Sequence, residues 1–175
     1  MSNLELKWRS FFNGKEFPPK SIKLQIPGWA GDSKNYGEGS KPQPWHCTPF
    51  VEASTYGLEL LYPFETECVV KNLNGKTVFE GDFSEEMKKY GYPEMPFKVF
   101  AEGHFGFTSS FDLNPPEDHI IRIEPHPKYY TDHTWTTPLP VAGHIQGEWW
   151  SKIFFIAFKQ PPLNGKYVFR KGEPY

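Results

Sequence analysis

The residues best able to do chemistry lie in the run Gly143-His144-Ile145-Gln146-Gly147-Glu148-Trp149-Trp150. Side chains alternate across a strand, so His144, Gln146, Glu148 and Trp150 would share one face, opposite Ile145, Gly147 and Trp149. An imidazole, an amide and a carboxylate ending in an aromatic ring suit a flat heterocycle or a sugar. Glu148 is the candidate general acid or base of that row. The same row also suits a solvated face or a subunit contact. A second group is Gly103-His104-Phe105-Gly106-Phe107-Thr108-Ser109-Ser110, whose small residues and hydroxyls could hold an anion through backbone N–H groups. It reads equally as a hairpin crossover ending in Ser109 and Ser110.

The histidines His46, His104, His119, His126, His133 and His144 fall in no H-x-H, H-E-x-x-H or H-x-D pattern. His46 and Cys47, beside Trp45, could join Cys68 in a soft-metal site. A subset of His46, His104, His119 and His144 could hold iron on a jelly roll. The alternative is a histidine bonded to the backbone and a buried thiol, and it covers His126 and His133 too. No resident metal or cofactor is expected. No G-x-S-x-G elbow and no P-loop occur in the sequence.

The elements that must position these groups are those of one domain of 175 residues, long enough to fold without a metal or disulfide staple. Aromatic residues make up 18% of the chain, which excludes a disordered protein. With 18 prolines and 15 glycines it does not read as a helical bundle. A net charge of −2 gives no electrostatic case for binding nucleic acid or an anionic membrane. No apolar run is long enough to span a bilayer, and the first residues carry no apolar signal core. The two cysteines read as free thiols of a reducing compartment. The expected location is the cytoplasm, or the virion or host cytoplasm if a phage encodes the chain.

Alternation predicts a strand at 22–26, short β-rich runs predict others at 56–62, 65–71, 97–101, 105–109, 119–123 and 167–169, and the Ile, Phe and Trp content of the long apolar run 148–159 predicts a central strand. Asn74-Gly75 between two β-rich runs predicts a hairpin over 69–79. Ser84 to Tyr90 predicts one short helix with Ser84 as its N-cap. Gly28 to Pro44 reads as a long loop able to act as a lid. The expected fold is all-β, a sandwich of about ten short strands with one short helix. Residues 1–20 read as an N-terminal arm that docks on a neighbour, and 21–175 as the domain.

Several segments taken together resemble an uncharacterised family of bacteria and phages. They are Gln43-Pro44-Trp45-His46-Cys47, Ser54 to Leu60, Pro115 to His119, Pro125-His126-Pro127, Gly143 to Trp150 and Arg170 to Tyr175. A fainter resemblance joins Tyr56-Gly57-Leu58-Glu59-Leu60, Gly143 to Trp149 and Lys171-Gly172-Glu173-Pro174-Tyr175. In that order they are similar to trimeric dUTPases and dCTP deaminases. The resemblance implies a β-clip, a distorted jelly roll, and a homo-oligomer with a trimer favoured. It puts that group's early Asp on Glu59, its water-activating Asp on Gln146 and its base-stacking Tyr on Trp149. An amide is no general base, so the implied pyrophosphohydrolase activity does not carry over.

The sequence therefore points first to a non-catalytic binding or assembly module on a β-clip. The alternative is a protein or enzyme binding a nucleotide or small polar ligand through Glu59, Ser109, Ser110, His144, Gln146, Glu148 and Trp149. A metal-dependent jelly-roll oxygenase is a third reading.

Overall fold

The computed structural model describes residues 6–12, 14–22, 49, 52, 56–92, 94–127, 129, 134–146 and 155–175. Their fold is all-β. The strands are β1 (Lys7–Ser10), β2 (Lys20–Ser21), β3 (Leu58–Glu59), β4 (Cys68–Leu73), β5 (Lys76–Glu80) and β6 (Phe97–Ala101). They continue as β7 (His104–Thr108), β8 (Phe111–Asn114), β9 (Ile120–Ile123), β10 (Gly143–Gln146), β11 (Phe155–Lys159) and β12 (Lys166–Phe169). A short helix, α1 (Ser84–Lys89), follows β5.

Two three-stranded sheets form the centre, in the orders β12-β4-β5 and β11-β7-β6, with every pairing antiparallel. The predicted β4–β5 hairpin is present. Asn74 and Gly75 take φ of 53° and 84°, the double positive φ of a two-residue turn whose twist matches that of the strands. Alternation then buries Cys68, Val70 and Asn72 and turns Val69, Lys71 and Leu73 outward. Asn72 is the polar exception on the inner face. Its amide N–H donates to the Pro161 carbonyl and its oxygen accepts from Gly75 N–H, so both ends of the Asn72 side chain are satisfied.

The two sheets face each other through aromatic rings. Phe97 of β6 lies 4.9 Å from Phe107 of β7 and 4.9 Å from Phe169 of β12, centroid to centroid. Phe158 of β11 meets Phe169 edge to face at 5.3 Å. Burying each such ring stabilises the fold by about 1.5–3 kcal/mol, and aromatic pairing adds about 0.5–1.5 kcal/mol. Tyr62 and Phe64, also fully buried, extend this core beyond the sheets.

Residues 134–141 run along two sheet margins. Val168 N–H donates to Thr136 O at one, and Val141 N–H donates to Ala157 O at the other. That cover explains why Val168 is buried although it is on the outward face.

The N-terminal segment, expected as an arm, makes these contacts within its own chain: β1 pairs with β8, β2 pairs with β3, and Phe12 packs on Phe64 and Tyr90. Two expectations need correction. Ser84 is not the helix cap. Asp82 accepts from both the N–H and the hydroxyl of Ser84, and these two bonds hold its carboxyl below the usual range. Within 56–62, only Leu58–Glu59 forms a strand, with a further single bridge between Leu61 and Pro174. Residues 23–26 of the strand expected at 22–26, the loop Gly28 to Pro44 and the first part of 148–159 lie outside the described residues. Among the described residues no helix is long and apolar enough to cross a membrane.

Candidate functional site

Glu59 and His126 form a buried acid–imidazole pair in this fold. β3 alternates, with Leu58 exposed and Glu59 turned inward. Gly57 precedes it with φ of 108°, and its carbonyl accepts from Ile22 N–H, which fixes how the strand enters. His126 follows β9 in the sequence Pro125-His126-Pro127, where two prolines stiffen the backbone. Its carbonyl accepts from Tyr129 N–H, and the Tyr129 hydroxyl donates to the Pro174 carbonyl at 3.0 Å. His126 Nε2 thus comes to 3.2 Å from Glu59 Oε2, with side-chain exposures of 5% and 7%.

A carboxylate on one ring nitrogen fixes the tautomer and orientation of an imidazole. That is the supporting half of an acid–base or metal site. The other half would be a third group converging on the ring. Among the described residues no three His, Cys, Asp or Glu side chains cluster so as to hold a metal ion. Glu59 was a sequence candidate. His126 was expected to bond the backbone, and no local pattern ties it to a carboxylate 67 residues away.

The other candidates are dispersed. Ser109 and Ser110 are buried between β7 and β8. Ser109 Oγ accepts from Phe111 N–H and donates to the Phe111 carbonyl, both at 3.2 Å, so its hydroxyl closes a turn. Ser110 Oγ is buried without a hydrogen-bond partner among the described residues. Burial pushes the Tyr175 phenol above its ordinary range.

His144 and Gln146 share the exposed face of β10, opposite Arg122 and Ile120 of β9. Arg122 is paired with Glu124 there. Ile145, Ile121 and Ile123 are partly buried against the core from the other face. Glu148 and Trp149 lie outside the described residues.

Of the metal candidates, His46 and Cys47 also lie outside the described residues. His104 sits in the β6–β7 hairpin with Nδ1 at 2.8 Å from the Glu102 carbonyl. Cys68 is a free, fully buried thiol. Burial, helped by the nearby Glu67, pushes its ionisation above the ordinary thiol range, which leaves it a poor thiolate ligand or nucleophile.

Two surface features were not read from the sequence. A groove of about 640 Å³ lies beside α1, lined by Phe83, Met87, Tyr92 and Met95 with Gly81 at one end. The second is a pair of neighbouring sheet edges, β5 and β6, joined through Phe79 and Phe97 at 5.8 Å. Val78 is exposed on the outer face of β5, and Val99 and Phe100 are exposed on β6. Alternating strands had been legible at both places, but which strand ends a sheet depends on long-range pairing. No protein-family model, curated protein or solved structure matches the chain.

Proposed function

We propose that this protein is a binding or assembly module that forms a homo-oligomer and carries no chemistry of its own. The observation that supports this reading best is the pair of adjacent edge strands, β5 and β6, along which Val78, Val99 and Phe100 are exposed. An uncovered edge presents a row of N–H and C=O groups that pairs readily with another chain. Aromatic and aliphatic side chains around such an edge supply the apolar area that an interface core needs. The test is the mass of the purified chain in solution, by light scattering over a concentration series. The expected result is a discrete species heavier than the 20.3 kDa chain at tens of micromolar. A single species of chain mass throughout would overturn the reading.

A second reading is favoured by one observation, the buried Glu59–His126 pair. In it the protein binds a small polar ligand, a nucleotide among the candidates, beside that pair. A buried carboxylate–imidazole couple is an expensive arrangement to keep for packing alone.

A further inference from the structure

We propose that β5 pairs antiparallel with β5 of a second copy, in a register centred on Val78, to close a two-fold dimer. This rests on the assembly reading above and names the surface that performs it.

The four margins of the two central sheets differ in how they end. The margin at β12 is met by residue Thr136, whose carbonyl accepts from Val168 N–H. The margin at β11 is met by 140–141, through Val141 N–H to Ala157 O and a bridge between Pro140 and Phe158. The margin at β6 carries a bulge, because its register with β7 slips between Val99 and Ala101. Bulges on edges twist the strand away from further pairing. β5 is different. Its register with β4 is unbroken from Val69↔Glu80 to Leu73↔Lys76, and among the described residues β4 is its one strand partner.

The turn decides which backbone groups β5 offers. A two-residue turn makes the flanking Leu73↔Lys76 pair a hydrogen-bonded one, and such pairs alternate along an antiparallel ladder. Lys76, Val78 and Glu80 therefore bond towards β4. Thr77 and Phe79 direct their N–H and C=O groups away from it, to the open edge.

The strand is self-complementary in one register. Centred on Val78, Thr77 exchanges both backbone bonds with Phe79 of the partner subunit, and Phe79 with Thr77 of the partner subunit. Val78 then faces Val78 of the partner subunit as a non-hydrogen-bonded pair, the type in which side chains approach most closely. Lys76 faces Glu80 of the partner subunit, and the two-fold axis repeats that pair on the other side. Lys76, Val78 and Glu80 are all exposed on the same outer face. Glu80 already bonds Lys71 at 2.6 Å, so its carboxylate is held in the plane of this face. An isologous edge of this kind closes with two copies and joins two three-stranded sheets into one.

Two charge reversals test the register. Lys76→Glu alone would put carboxylate against carboxylate at both ends, and Glu80→Lys alone would put ammonium against ammonium. Light scattering should give about twice the chain mass for the wild type and the chain mass for either variant. An equimolar mixture of the two variants should return to about twice the chain mass, since every facing pair is then of opposite charge. Circular dichroism of each variant reports that the strands persist. A wild type of chain mass would overturn this proposal and the assembly reading together. An associated wild type whose variants associate equally well would overturn the β5 register and leave the assembly reading standing. Variants that stay monomeric when mixed would also overturn the register.

Discussion

Glu59 and His126 meet across 67 residues of sequence, one on a two-residue strand and the other between prolines. Each is nearly dry, so losing the contact between them would leave a buried polar atom less well satisfied. Replacing Glu59 by Gln keeps an acceptor near Nε2 but removes the charge assistance. The expected loss is about 1–2 kcal/mol in a urea melt, with an unchanged mass in solution. A wider response would favour the ligand reading: a nucleotide that raises the wild-type melting temperature and fails to raise that of Glu59→Gln. Single residues were the hardest level to read from the sequence. Glu59 was reached through a family resemblance, whereas His126 looked like an ordinary packed histidine. Nothing local separates a histidine bonded to backbone from one bonded to a carboxylate on a distant strand.

At the scale of elements, the β4–β5 hairpin is where sequence and structure agree most closely, because a turn is a local object. Asn74 and Gly75 need only their own φ values and the alternation on either side. Gly75 has φ of 84° and open space around the position a Cβ would take. Gly75→Ala should therefore cost about 1–2 kcal/mol through backbone strain, with no steric clash added. A thermal melt lowered by several degrees, with strand content intact, would show it; an unchanged melt would contradict the turn assignment. Gly81 differs in kind: a Cβ there would come to 2.6 Å from the Glu67 carbonyl. The helix cap was misread because Asp and Ser both favour N-caps, and the nearer hydroxyl at Ser84 is itself held by Asp82. β1 was missed because its four residues are mostly exposed and its partner, β8, is about a hundred residues away.

At the scale of the whole molecule, the all-β class followed from composition and turn spacing. The layering did not, since it depends on which strands pair. Lys171 illustrates how such distant segments are tied. Its ammonium bonds Glu65 and Glu16 and lies over the Phe17 ring, joining the N-terminal, central and C-terminal segments at one point. The pattern of covered and uncovered sheet margins also depends on long-range pairing, and among the described residues it leaves β5 as the straight, open edge. The resemblance to trimeric β-clip proteins implies a three-fold assembly, whereas the β5 register closes with two copies.

Amide exchange at Thr77 and Phe79 tests the central claim most directly. In a lone chain both N–H groups point to the open edge and exchange fast, although they lie in a strand. In the assembled protein they donate to a second β5. Exchange read residue by residue at high and low protein concentration should therefore be slow at both positions when concentrated and fast when dilute. Val78, bonded to β4 in either state, should change far less. Fast exchange at Thr77 and Phe79 under both conditions, in a sample that light scattering shows to be associated, would contradict pairing through this edge.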